Sequence, residues 1–254
     1  MNKQAGRVIT ITGGDCMGKN TQVKLLSRIL GCLDINHKVM SFPDYNTPIG
    51  ALMGCMLDNT DITINGSRNV STSWPMKKGG PSVQYQLLAI ANMFEKAQYM
   101  RELLNAGEII LCDRYDVDSL AYGLIDCGGD IEWIKQVQKF LPQSDCVVVL
   151  DGTGFTRGGA QDENERSTMF QVTVRKNYRT LAQQNDHWGL VDCNQYNNLD
   201  KRESIFMINK EVRRVIDTHI ALFGNLSNSS MTRTIGCIID DILVNEPQNK
   251  YLEI

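Results

Sequence analysis

Gly13-Gly14-Asp15-Cys16-Met17-Gly18-Lys19-Asn20-Thr21 is the stretch on which the reading of this chain turns. It follows the apolar run Val8-Ile9-Thr10-Ile11 and precedes apolar residues at helical spacing, Val23, Leu26, Ile29, Leu30 and Leu33. Gly13-x4-Gly18-Lys19 between a strand and a helix is the spacing of a phosphate-binding loop. Glycine admits φ values that side chains disfavour, so the N–H groups of Gly13, Gly14, Cys16, Met17 and Gly18 can converge on one anion. The positive end of the following helix adds to them, and Lys19 supplies a point charge for the β- and γ-phosphates of a nucleotide. The residue after the lysine is normally Ser or Thr, whose hydroxyl ligates magnesium; here it is Asn20, whose amide oxygen also suits a hard cation. Thr21 can donate to a phosphate.

Outward from this loop, strand and helix patterns alternate. Arg7 to Thr12 reads as a strand buried on both faces and Thr21 to Leu33 as an amphipathic helix. Lys38 to Phe42 reads as a second strand stopped by Pro43, and Asn46-Thr47-Pro48 as a helix start. Residues 58–80, rich in Asn, Asp, Thr, Ser and Gly, read as an insertion or long loop. A helix capped by Ser82 is expected to run to about Asn105, with Leu87, Leu88, Ala91, Phe94, Met100, Leu103 and Leu104 on its apolar face. Further strands are expected at 108–113, 146–151 and 190–192, and helices at 116–126, 131–141, 163–184 and 201–222. Four or five apolar strands separated by helices imply an α/β fold: a doubly wound parallel sheet of about five strands with helices on both faces. Residues 1–222 read as one domain, with a mobile-looking loop, about 152–168, around Arg157-Gly158-Gly159. Residues 223–254 form a C-terminal extension of open role.

The bulk properties narrow the classes of function. A net charge of −3 over 254 residues gives no electrostatic case for nucleic-acid or membrane partners, so an anionic ligand needs a local cluster of Arg, Lys and backbone N–H groups. No two of the eight cysteines share a C-x2-C spacing, which argues against zinc. The first residues show no signal pattern and no apolar run reaches the length of a membrane span, so a reducing, cytoplasmic setting is expected.

In such sheets ligands bind beyond the carboxyl ends of the strands. Asp113-Arg114 ends its strand at that edge. The carboxylate suits magnesium and its waters, and the guanidinium suits a phosphate held bidentately. Arg157 and Arg166 flank glycines in a way that fits a lid closing over a transferring phosphoryl group, whereas Arg175 reads as part of a solvated helix face.

In combination these stretches resemble the thymidylate kinases, within the nucleoside-monophosphate kinases of P-loop NTPase fold, over roughly residues 7–220. The segments that carry the likeness are TGGDCMGKNTQ, FPDYNTPIG, LLAIANMFEKAQ, DRYDVDSLAYG, LPQSDCVVVLD and FQVTVRKNYRTLAQ. The resemblance implies transfer of the γ-phosphoryl group of ATP to a nucleoside monophosphate, with magnesium, by a homodimer. It implies that Lys19 and the loop amides hold ATP, that Asp113 and Asn20 stand at the metal, and that Arg114 holds the acceptor phosphate. Asp15 would meet the sugar 3′-hydroxyl. Phe42, Tyr45, Ala89, Met93, Ser119 and Tyr122 would line the acceptor pocket, and Arg157 or Arg166 would be the lid arginine. Three positions depart from the family: Tyr45 stands where an arginine is common, Ala89 where a phenylalanine stacks on thymine, and Met93 where an arginine reaches a thymine carbonyl. Replacements from the insertion (Arg68 or Lys77), or acceptance of a related or modified deoxynucleotide, are the expectations these leave open. A deoxynucleoside kinase and a nucleotide-binding module with little catalysis are the competing readings; the first needs a base near the acceptor hydroxyl, and residues 43–50 offer only Asp44.

Overall fold

A computed structural model describes residues 6–58, 62–64, 68–70, 83–153, 168–224 and 229–245. In chain order the elements are β1 (Arg7–Gly13), α1 (Lys19–Cys32), β2 (His37–Ser41), α2 (Pro48–Asp58), β3 (Ile62–Ile64), β4 (Arg68–Val70), α3 (Val83–Ala106) and β5 (Ile109–Asp113). There follow α4 (Asp116–Asp126), α5 (Glu132–Gln138), β6 (Cys146–Asp151), α6 (Thr168–Gln184), β7 (Trp188–Asp192), α7 (Lys201–Ile220) and α8 (Ser229–Asn245). Five strands form one sheet in the order β2-β5-β1-β6-β7, and each adjacent pair is parallel. The chain first builds to one side of β1 and then crosses to the other. The loop after β1 therefore emerges where the strand order reverses.

The strands read as near-continuous apolar runs because both faces are covered. Ile9, Ile11, Ile109, Leu111, Cys146, Val148 and Leu150 pack on one face with Leu26 and Ile29 of α1 and Val212 and Ile216 of α7. On the other face Val8, Ile110 and Cys112 meet Met93, Ala97 and Met100 of α3, while Val147 and Val149 meet Val117 and Ala121 of α4 and Val174 and Tyr178 of α6. Successive residues of a strand thus enter different clusters, as a period of two requires.

Several expectations change in detail. The stretch 58–80 begins with the last residue of α2, Asp58, and contains β3 and β4, paired antiparallel as a small sheet of their own; its other residues, Lys77 among them, lie outside the described residues. So do Ser82, Arg157, Arg166 and residues 163–167. Helix α3 does not bury all the apolar residues assigned to it. Leu87 and Phe94 are 53% and 37% exposed, while Gln86, Ile90, Asn92, Met93 and Ala97 are buried. The helix carries two apolar stripes, and Gln86 and Asn92 sit inside because each has polar partners there: Gln86 on Asp126, and Asn92 on Asp44, Thr47 and Glu95.

The extension supplies α8. Its Ile235, Ile239 and Ile242, at i, i+4 and i+7, enter the same cluster as α1 and α7. Arg28 pairs with Asp241, and Arg202 grips Asp240 through two hydrogen bonds of 2.5 and 3.0 Å. Both pairs are exposed and add little; the isoleucines hold the helix.

Asp116, the first residue of α4, is buried beneath the sheet edge. It accepts from Ser144 Oγ at 2.8 Å and from its neighbour's backbone N–H. Burial pushes its carboxyl up to about 6; the hydrogen bonds offset this only in part, and the nearby Asp118 adds to it. Buried Cys112 and Tyr115 are the other titratable groups that feel its charge. Between about pH 4 and pH 6 the folded chain holds a proton that the unfolded chain has released. Stability therefore falls as pH rises through that window, by up to about 3 kcal/mol from this group. Urea unfolding across pH 4–7 is expected to show a flatter low-pH dependence for Asp116→Asn than for the parent; equal slopes would contradict the assignment.

Candidate active site

The loop between β1 and α1 takes its shape from two glycines. Gly13 has φ 136°, and a Cβ there would lie 2.1 Å from the Leu150 carbonyl oxygen of β6, so no side chain fits. Gly18 caps α1 at φ 77°, in the left-handed region. Lys19 folds back into the loop, donating to Gly14 O at 2.6 Å and to Gly13 O at 3.2 Å. Burial pushes its pKa down to about 8, with Arg114 acting in the same direction and Asp15, Asp113 and Asp118 opposing.

Arg114 faces this loop from the next strand. It follows β5 with φ 60°, and its N–H donates to Ile11 O at 3.0 Å, tying the turn to β1. A non-glycine residue held at positive φ is a strained conformation that the fold has to maintain, and such residues gather at functional sites. Its guanidinium donates to Asp15 at 2.6 Å and to Asp118 at 2.9 Å and lies 5.9 Å from the centre of the Tyr122 ring. Burial works against the charge, but Tyr122, Asp118, Tyr178 and Asp15 outweigh it and keep Arg114 protonated. The same burial would protonate Asp15; Arg114, Lys19 and the Gln171 amide, 2.8 Å away, reverse this and hold its carboxyl below the usual range.

Asp118 is the hub of the arrangement. One carboxylate oxygen accepts from Thr12, Arg114 and Tyr178 at 2.7–2.9 Å, and the other from Tyr115 N–H at 3.0 Å. It joins β1, the Arg114 turn, α4 and α6. The sequence reading passed over it, although its place four residues after Arg114 was a usable signal. Gln171 and Tyr178 were missed as well, and no local pattern marks them.

Asp113 ends β5 beside Lys19 and the Asn20 side chain, with which it is hydrogen-bonded. Burial raises its pKa, and Lys19 and Arg114 pull it back in part. Among the described residues no group of three or more His, Cys, Asp or Glu side chains could enclose a metal. That donor set fits magnesium, which keeps several waters and is bound through one or two carboxylates plus phosphate oxygens.

The acceptor-side residues are only partly gathered. Tyr122 stands near Arg114, and Tyr85 links Tyr45 to them: it is hydrogen-bonded to Tyr45 and lies in the field of Arg114 and Tyr122. A Cβ on Gly54 would stand 3.5 Å from the Tyr45 ring, so α2 offers that ring a smooth seat. Ala89 follows Tyr85 by one turn of α3. Phe42 and Met93 lie deeper, buried in the core with Tyr115, whose ring centre is 4.9 Å from that of Phe42; Ser119 is buried on α4. Asp44 is occupied by Lys96 at 3.0 Å and by Asn46, which ill suits it to serve as a base. Arg175 is not the solvated residue expected. Its side chain packs 3.3 Å from where a Gly14 Cβ would be and donates to Gly152 O and Gln171 O, because α6 crosses over the loop.

A parallel sheet with this loop at its reversal point, and a second cation fixed across the cleft, defines a P-loop phosphotransferase of the nucleoside-monophosphate kinase class. Residues 11–203 match the family model for thymidylate kinase, and the chain belongs to that family. A thymidylate kinase of Arabidopsis thaliana is 30% identical over 198 residues, covering 75% of this chain and 66% of its own length. One of Schizosaccharomyces pombe is 29% identical over 216 residues, covering 84% and 92%. The solved thymidylate kinase of Candida albicans, described as having broad substrate specificity, superposes with a TM-score of 0.59 at 25% identity, covering 84% of this chain and 92% of that one. The chain is thus an ATP-dependent kinase that phosphorylates a deoxynucleoside monophosphate. No helix among the described residues is long and apolar enough to cross a membrane.

Proposed function

We propose that the acceptor is thymidylate or a closely related deoxynucleotide, that magnesium accompanies ATP, and that the working unit is a homodimer. The observation that carries this reading is the 2.6 Å contact between Arg114 and Asp15, which joins the anion-binding loop to a cation facing it across the cleft.

In this reading Lys19 and the N–H groups of Gly13, Gly14, Cys16, Met17 and Gly18 hold the phosphates of ATP, with Thr21 donating at the head of α1. Arg175, packed against Gly14, adds charge at the same loop. Asp113 and Asn20 would hold the magnesium, which supplies charge neutralisation between the phosphates. Arg114 presents the acceptor's 5′-phosphate, one oxygen of which attacks the γ-phosphorus while the β–γ bridging oxygen departs with ADP. Asp15, ionised at neutral pH, accepts a hydrogen bond from the sugar 3′-hydroxyl, a contact compatible with a deoxyribose. Tyr45, Tyr122 and Ala89 flank the acceptor, with Phe42, Met93 and Ser119 packed behind them, and Arg157 or Arg166 serves as the lid arginine. Positioning and charge stabilisation supply most of the rate. Val83, Leu87 and Phe94, exposed along one stripe of α3, support pairing with a second copy, for which a sedimentation mass of two chains is the measurement.

A coupled ADP-release assay over ribo- and deoxynucleoside monophosphates tests the reading. ADP formation that requires both magnesium and a deoxynucleotide acceptor, greatest with thymidylate, is the expected result. Turnover with nucleosides in place of monophosphates would overturn it.

A further inference from the structure

Gln86, near the head of α3, is 3% exposed, and its amide is only half used. Nε2 donates to Asp126 Oδ2 at 2.6 Å. A carboxylate can only accept there, so the nitrogen must face it and the orientation of the amide is fixed. Oε1 is left with no donor among the described residues. Buried carbonyl oxygens without a partner are uncommon in folded proteins, and each calls for an explanation.

Its place in the fold supplies one. Gln86 follows Tyr85, which pairs with Tyr45 and lies in the field of Arg114, and it stands just under one turn before Ala89. Its partner Asp126 is one turn beyond Tyr122 on α4. The Gln86–Asp126 pair lies on the α3–α4 seam, next to Tyr85 on one helix and one turn beyond Tyr122 on the other. Met93, at the family's position for a donor to a base carbonyl, is buried against Phe42 and Tyr115 and has no N–H to offer. What this wall presents to a base is an acceptor.

We propose that Gln86 Oε1 is a specificity-determining acceptor that takes an N–H hydrogen bond from the Watson–Crick edge of the incoming nucleobase, with Asp126 as the positioning residue that holds the amide. The inference rests on the cleft being the acceptor site of a nucleoside-monophosphate kinase. Two groups carry the required chemistry: the ring N3–H of thymine or uracil, and the exocyclic amino group of cytosine.

The test is steady-state ADP release at saturating ATP from dTMP, N3-methyl-dTMP, dCMP and N4,N4-dimethyl-dCMP, with the parent enzyme and with Gln86→Met. A site built to bond an N–H rejects the analogue that lacks it, so methylation at the bonding nitrogen is expected to lower kcat/KM by about tenfold or more in the parent. In Gln86→Met the penalty should shrink to about twofold or less, with the KM for ATP unchanged. The methylated base that is penalised identifies the donor. A parent enzyme indifferent to both methylations overturns the proposal without recourse to any variant, and so does a penalty that persists in Gln86→Met. Absence of acceptor-dependent ADP from every nucleotide in the parent is a different result: it removes the kinase reading on which the proposal stands.

Discussion

Lys19→Ala is expected to lower acceptor-dependent turnover by about a thousandfold or more, the scale on which a preorganised charge at a transferring group acts. The reason lies in the loop itself. Lys19 is buried and folded back on the Gly13 and Gly14 carbonyls. In the absence of nucleotide its charge is held at a cost, since burial has already pushed its pKa down to about 8. Alanine therefore removes a group that the empty fold does not depend on. Circular dichroism and the thermal midpoint should be preserved or improved while ADP release collapses. Turnover near the parent level would refute the assignment of the loop.

The second large effect is at Arg114. Arg114→Lys keeps a positive charge but loses the planar fork that meets Asp15 and Asp118 together. We expect kcat/KM for the acceptor to fall about a hundredfold or more, with the KM for ATP changed little. Arg114→Met goes further and leaves Asp15 and Asp118 without their shared cation. After allowance for the partly exposed Asp15, this is expected to cost about 2–3 kcal/mol of folding stability as well. The pair of variants separates catalysis from support: a lysine enzyme that melts like the parent and still fails to use acceptor points to phosphate handling. Equal acceptor kinetics in parent and Arg114→Lys would place the acceptor phosphate elsewhere.

Much of this was legible from residue order alone. Glycine spacing, a lysine and an adjoining apolar run identify the loop, because backbone geometry near a phosphate leaves few alternatives. The parallel sheet follows from apolar strands without alternation. Where reading failed, the missing information was spatial. Leu87 and Gln86 are neighbours on α3 with opposite fates, and only the carboxylate on a different helix explains why the glutamine is inside. Arg175 looks solvated in a stretch that also carries Lys176 and Arg179; its proximity to Gly14 depends on the crossing of α6 over the loop. Asp118 looks like one more acid in an acidic stretch, and its role as a hub appears only when β1, α4 and α6 converge on it. The residues expected to line a pocket divide for the same reason: Met93 shares the helix of Ala89 but turns into the core.

The bracing of α1 by α8 has a consequence for biogenesis. Ile235, Ile239 and Ile242, which pack in one cluster with α1, are synthesised more than two hundred residues after the loop and that helix. Until then α1 and α7 lack part of their apolar cover, and the nascent domain presents a sticky seam to chaperones or to other chains. Completion of this side of the core is therefore a late event in the folding of each molecule, set by the arrival of a helix remote from the chemistry.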